Sequence, residues 1–204
     1  MNQEVIVIGA GGHGKVVADI VRRSGDILLG FLDDGHKAGE ILCGIPVLGG
    51  VADYVNYSQA QFVVGIGGAA ARRSIAQRLE GVRWYTAIHP TAVISDLDTH
   101  IGEGTVVMAG AIVNPCAKVG KHCILNTASS IDHDNKIGDF THISVGARLA
   151  GTVTVGENVW VGIGATVSNN LDLCDHCMIG AGAVVVRSIT EPGTYTGIPA
   201  RKKK

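Results

Sequence analysis

Between Asn126 and Gly151 the chain reads N-T-A-S-S-I-D-H-D-N-K-I-G-D-F-T-H-I-S-V-G-A-R-L-A-G. Its chemistry centres on His133, which stands between Asp132 and Asp134. A carboxylate beside a histidine orients the imidazole and raises its basicity, which equips the ring as a general base. Far upstream, Gly9-Ala10-Gly11-Gly12-His13-Gly14 has the spacing G-x-G-x-x-G. Such glycines let the backbone approach phosphates, and a helix N-terminus behind them favours negative charge. Asp33-Asp34 follows about twenty residues later, where an acidic group can meet a ribose hydroxyl. Two weaker constellations complete the set. Cys174-Asp175-His176-Cys177 is a single C-x-x-C with no second pair, and it reads as packing. His122, His133 and His142 form a set able in principle to bind zinc across an interface.

These groups need elements to hold them. The glycine turn sits between an apolar run, Val5 to Ile8, and a helical stretch, Lys15 to Arg23. Ile27–Leu32 and Phe62–Ile66 read as two further buried strands, the latter ending in Gly67-Gly68. This unit closes near Tyr85, which leaves no room for a full doubly wound domain or a hydride-transfer site. An NAD-dependent reading is therefore set aside.

The rest of the chain repeats every six residues. From Ile101 to Val185, fifteen successive sixth positions are all Ile, Leu or Val. The pattern continues weakly upstream at Ile94 and Ile88. Glycine often follows the anchor, as at Gly102, Gly120, Gly138, Gly156, Gly162 and Gly180. Four positions after the anchor the residue is usually small or β-branched. A period of six fits neither an amphipathic helix nor an alternating strand. It fits a triangular parallel β-helix of eighteen residues per coil, with the aliphatic anchor inside. The glycine after the anchor is expected to supply unusual backbone angles near the corner. His133, two residues past anchor Ile131, is expected to point outward.

The hexads, the closing Gly197-Ile198-Pro199-Ala200, the GGHG turn and the paired aspartates together resemble the sialic-acid O-acetyltransferase-like group of hexapeptide-repeat sugar acyltransferases. That group includes the bacillosamine-pathway UDP-4-amino-sugar N-acetyltransferase. The resemblance implies an α/β Rossmann-like sugar-nucleotide-binding domain over 1–85. A left-handed β-helix acyltransferase domain with a basic tail would occupy 86–204. It implies acetyl-CoA as cosubstrate, no metal, and a cytoplasmic homotrimer with active sites between prisms. The substrate would be a UDP-amino sugar or a related nucleotide sugar such as a GDP-linked one, destined for a glycoprotein or polysaccharide. His133 matches the family base, with Asp134 where the family has Glu. His142, Gly151, Ile163 and Ala181 match acetyl-CoA-contact positions. Gly11, Gly12, His13, Asp33, Asp34, Gly67 and Asn126 match sugar-nucleotide positions. Sialic acid O-acetylation is the alternative within the group. A zinc enzyme of the γ-carbonic-anhydrase type and a non-catalytic sugar-nucleotide-binding protein are the alternatives outside it.

Composition limits the remaining classes. The 204 residues carry a net charge of −1, so no general electrostatic case for nucleic acid exists. No apolar run approaches a membrane span, and the opening residues do not read as a signal peptide. Five cysteines, an odd number, point to reduced thiols. The basic run Arg201-Lys202-Lys203-Lys204 is either a solvated tail or a neighbour of the CoA phosphates.

Overall fold

The computed structural model describes residues 2–203 and divides into two compact units, Met1–Pro90 and Thr91–Lys204. The division falls a few residues beyond the 85/86 boundary expected from the sequence. Ser24 Oγ donates to Ile88 O at 2.9 Å, which ties that stretch to the first unit. Lys204, the last residue of the basic run, lies outside the described residues.

The first unit is an open, mainly parallel sheet. Its elements are β1 (Glu4–Ile8), α1 (Gly12–Arg23), β2 (Ile27–Leu32), β3 (Ile41–Leu42), β4 (Ile45–Gly49), β5 (Gln61–Val64), α2 (Ala69–Arg78) and β6 (Arg83–Trp84). The strand order is β3-β4-β2-β1-β5-β6. β1 is central, and Val5, Ile6, Val7 and Ile8 are wholly buried, as expected of an apolar run flanked by parallel neighbours. The chain leaves β1 toward one edge and returns through β5 on the other side, so the carboxyl end of β1 is a topological switch point. α1 begins at Gly12, three residues earlier than the sequence suggests, because the glycine turn itself forms its first turn.

The second unit is a parallel β-helix. Two-residue strands stack in register along three faces. One face runs Val106, Ile124, His142, Trp160, Met178. The next runs Val93, Ile112, Ser130, Arg148, Thr166, Val184. The third runs His100, Lys118, Lys136, Thr154, Asp172. Every step is eighteen residues except at Val93–Ile112, which spans the one-residue irregularity before Ile101. The anchors from Val107 to Val185 are at most 4% exposed and form one continuous core. Ile94 packs against that core, whereas Ile88 is exposed and is not an anchor. A hairpin, Gly193–Thr196 with Arg201–Lys202, closes the His142 face. No helix among the described residues is long and apolar enough to cross a membrane.

The corners correct one expectation. The glycine after the anchor does not adopt a left-handed angle. The left-handed residue is the third after each anchor, from Gly104 through Gly182, and most of these are not glycine: Cys116, Ala128, Asp134, Phe140 and Thr152 all have φ between 55° and 63°. Gly102, Gly120 and Gly138 serve coil stacking instead. A Cβ on Gly102 would come within 2.5 Å of Gly120 C, and one on Gly138 within 2.5 Å of Gly156 C. Short side chains inside the turn satisfy the backbone there. Asn135, fully buried, donates to Asp132 O and Ala150 O at 2.7 and 3.0 Å and accepts from Val153 N.

Candidate functional site

The first unit builds its site at the switch point. Gly9 leaves β1 at φ +98°, and a Cβ on Gly14 would lie 1.9 Å from Gly9 O, so α1 packs against the strand end with no space for a side chain. At Gly11, Gly12 and Gly67 a Cβ would meet nothing within 4 Å. Their bare backbone faces open space, as a phosphate cradle requires. Asp33 binds the turn directly, accepting from Ala10 N at 2.7 Å through one oxygen and from Gly35 N at 2.8 Å through the other. Each oxygen keeps a lone pair for a ligand. Asp34 accepts from Val51 N at 2.7 Å.

Asp33 and Asp34 line a cleft of about 320 Å³ with Ser74 and Arg78 of α2, whose guanidinium stands 3.9 Å from Asp34. Sequence reasoning missed both α2 residues. Their i, i+4 spacing on one helix face, just past Gly67-Gly68, was the available signal. It also missed Arg72, which is buried and donates to Gly67 O at 2.6 Å. Burial, and then the charge of Arg72, lower the His13 pKa to about 4. His13 is therefore neutral at ordinary pH, a hydrogen-bonding group rather than a cation.

A pH effect follows. His13 in the unfolded chain protonates near its ordinary value, while the folded form resists protonation until about 4. Acid in that window therefore favours the unfolded state. Melting temperature is expected to fall between pH 7 and pH 5 and to fall less in His13→Asn; equal slopes in the two proteins would show that His13 does not titrate this way.

The second unit divides its functional side chains between two edges of the prism. His133 lies in the corner after the Arg148 face. Its Nδ1 is 2.7 Å from Asp134 Oδ2. The left-handed angle of Asp134, φ +60°, is the corner geometry that places this carboxylate beside the ring. Asp132 anchors the other side, accepting from His133 N and from Asn114 Nδ2, both at 2.8 Å. The hydrogen bond from Asp134 is the main cause that raises the His133 pKa. The outer nitrogen, Nε2, faces Gly151 one coil further on, where a Cβ would come within 2.5 Å of it.

Gly151 thus keeps space open at the atom that would take a proton. Gly151→Ala would push the flexible, exposed ring aside rather than the backbone. Turnover in that variant is expected to fall roughly a hundredfold through lost alignment, at unchanged melting temperature. Wild-type turnover would remove the steric role.

The other edge carries a cleft of about 450 Å³ along the His142 face. It brings together Asn126, His142, Ile163 and Ala181. Asn126 Nδ2 is 3.0 Å from His142 Nε2, and the His142 ring lies 4.5 Å from that of Trp160. Asn126, expected on the sugar, therefore sits with the cofactor-type residues. Gly151, expected on the cofactor, sits with His133. Sequence reasoning missed Ser144, Trp160 and Met178. Ser144 stands one coil from Asn126, and Trp160 and Met178 stand one and two coils from His142, so the eighteen-residue spacing was the signal. Ser144 Oγ is buried in the cleft wall and finds no hydrogen-bond partner among the described residues. It offers a donor to a ligand carbonyl.

The remaining candidates disperse. His122 stacks on Phe140 at 5.2 Å, away from both His133 and the cleft. Among the described residues no three metal-ligating side chains converge. Cys174 and Cys177 approach to 3.4 Å, and burial of Cys177, followed by its hydrogen bond with Cys174, raises its pKa and keeps it a thiol.

Comparison with known proteins gives these features a context. Residues 4–79 match the PglD N-terminal domain. A UDP-N-acetylbacillosamine N-acetyltransferase of Bacillus subtilis is 38% identical over 121 residues, which are 52% of this chain and 52% of that enzyme; the chain therefore matches about half the length of that curated relative. The acetyltransferase domain of PglB from Neisseria gonorrhoeae, solved with acetyl coenzyme A, is 37% identical with a TM-score of 0.92, and the match covers the whole of both chains. PerB from Caulobacter crescentus, solved with CoA and GDP-perosamine, is 33% identical with a TM-score of 0.92, over 98% of this chain and 97% of that one.

Proposed function

The chain belongs to the family of PglD-, PglB- and PerB-type sugar acetyltransferases, and on that premise we propose that it transfers an acetyl group from acetyl-CoA to the amino group of a nucleotide-linked sugar, a UDP-4-amino-4,6-dideoxy sugar first. The observation that carries the reading is the His133–Asp134 pair, 2.7 Å apart, with Nε2 turned to the space that Gly151 leaves. Asp134 holds the proton on Nδ1, so Nε2 carries the free lone pair. As the sugar amine attacks the thioester carbonyl, Nε2 accepts the amine proton, and the CoA thiolate departs and is protonated. No enzyme-bound acetyl group is required.

The nucleotide would sit in the first unit, its phosphates on the Gly11–Gly12 backbone and its ribose at Asp33. The cleft of Asn126, His142, Ile163 and Ala181 would hold the thioester arm, with Ser144 as a donor. His133 and that cleft lie on different edges of one prism. A site that uses both needs an edge of one copy set against a face of another, which supports a homotrimer with three such sites. Five free thiols suit a reducing cytoplasm.

Release of CoA thiol tests the reading, with UDP-4-amino-4,6-dideoxy sugar, a GDP-linked 4-amino sugar and free sialic acid as parallel acceptors. Rapid release with the UDP sugar alone is expected. Release only with the GDP sugar would move the base specificity. Release only with sialic acid would move the chemistry to a hydroxyl. Silence with all three would end the acceptor assignment.

A further inference from the structure

The last coil ends in a pair of thiols that the reaction does not use. At the corner after the third face, the residue following the anchor is glycine in four successive coils: Gly102, Gly120, Gly138 and Gly156. The next coil forbids a side chain there, since a Cβ on Gly156 would come within 2.6 Å of Asp175 N. In the coil after Gly156 the same position is Cys174. Above it, Leu173 makes only an isolated bridge with Ile189, whose carbonyl accepts from Cys174 N at 2.9 Å. The end of the stack thus leaves room for a side chain where the four earlier coils need glycine.

The same ending frees the second thiol. Four positions past the anchor, the side chain normally donates to the glycine carbonyl of the next coil. Thr105 Oγ1 reaches Gly120 O and Thr141 Oγ1 reaches Gly156 O, both at 2.8 Å, and Cys123 Sγ reaches Gly138 O at 3.1 Å. Cys177 holds this position in the last coil, with no further glycine above it. The carbonyls within its reach are Glu191 O at 3.7 Å and Asp175 O at 3.8 Å, while Cys174 Sγ stands at 3.4 Å. The two cysteines flank a turn in which His176 is left-handed, at φ +59°. The Cα atoms at the ends of such a turn lie within about 7 Å, the span that a disulfide bridges.

We propose that Cys174 and Cys177 are a site of reversible oxidation, closed to an intramolecular disulfide by low-molecular-weight disulfides of the glutathione type. The two thiols have different parts in it. Cys174 is partly exposed and meets the oxidant, whereas Cys177 is 2% exposed. Burial, and then the hydrogen bond with Cys174, push the Cys177 pKa up to about 12, so it does not compete as the first nucleophile. Cys174 sulfur attacks one sulfur of oxidised glutathione, forms a mixed disulfide and expels one glutathione thiol. Cys177 sulfur then attacks Cys174 Sγ and expels the second. Two hydrogens pass from the protein to glutathione: the cysteines are oxidised by two electrons, and one glutathione disulfide is reduced to two thiols. This site is independent of the acetyl-transfer reading.

The full wild-type chain, equilibrated with glutathione buffers of graded ratio, tests the proposal. Samples are quenched in acid, free thiols are alkylated, and peptides are mapped by mass. A 174–177 disulfide is expected, lighter by two hydrogens, reversed by dithiothreitol and with no glutathione retained at Cys174. Its equilibrium constant should be roughly tenfold or more larger in the folded protein than in the same chain in denaturant, because the fold already holds the sulfurs together. In Cys177→Ser, one glutathione should remain on Cys174. A persistent mixed disulfide at Cys174 in the wild type would overturn the proposal, since Cys177 would then fail to resolve it. A constant no larger in the folded protein than in the unfolded chain would overturn it as well, and that comparison needs no variant.

Discussion

His133→Ala is expected to lower turnover by about a hundred- to ten-thousand-fold, the usual effect of removing an acid–base group, at unchanged assembly and melting temperature. The ring is more than half exposed, with its Nδ1 bound to Asp134, so little packing is lost with it. Asp134→Asn gives the finer test. The Asp134 hydrogen bond favours protonated His133 and raises its pKa above the ordinary imidazole value. A base works only when unprotonated, so kcat/KM should rise with pH through an inflection on the alkaline side of that value. In Asp134→Asn the inflection should move toward acid and the plateau should fall. Near-wild-type turnover in His133→Ala would remove this residue from the mechanism. An unmoved inflection in Asp134→Asn would free Asp134 from its role.

Gly14→Ala should be the most damaging single methyl in the first unit. The new Cβ would meet Gly9 O at 1.9 Å and Gly9 C at 2.9 Å, and both are backbone atoms of the turn that binds Asp33 through Ala10. No rotamer relieves that clash, so α1 must lift from the sheet. Overpacking of this kind costs about 1–3 kcal/mol and sometimes more. Chemical denaturation of the first unit should report that loss, and nucleotide affinity should fall with it because the Gly11–Gly12 backbone moves. A variant with unchanged midpoint and unchanged nucleotide binding would show that the helix and strand do not depend on this contact.

The prism was legible because its rule is one-dimensional. An aliphatic residue at every sixth position has to be inward at all of them or none, and burial of Val107 through Val185 satisfies it. The corner rule was not legible. A left-handed angle at Phe140 or Thr152 is disfavoured by local preference and is held by the coils on either side. Composition pointed to the glycine after the anchor, whose function is clearance. Within the site, His133 stood out because its carboxylates are sequence neighbours. Ser144 and Trp160 did not, since they meet Asn126 and His142 only through stacking. Arg72 was hidden for a similar reason: its effect on His13 passes between two helices far apart in the chain.

The hairpin at the end of the His142 face bears on how copies of this protein avoid one another. A stack of parallel coils has no intrinsic stop: the last strand of each face offers the same unpaired N–H and C=O groups that held the previous coil. Two solenoids joined end to end would continue the ladder and begin a fibre. On this face the chain reverses direction, so the outermost strand, Arg201–Lys202, runs antiparallel to the rest. An incoming parallel coil therefore meets the wrong hydrogen-bond pattern. The strand is two residues long and both are cationic, which is how sheet edges resist polymerisation. The turn of chain that closes this face thereby ends the lattice of coils and favours discrete particles over filaments.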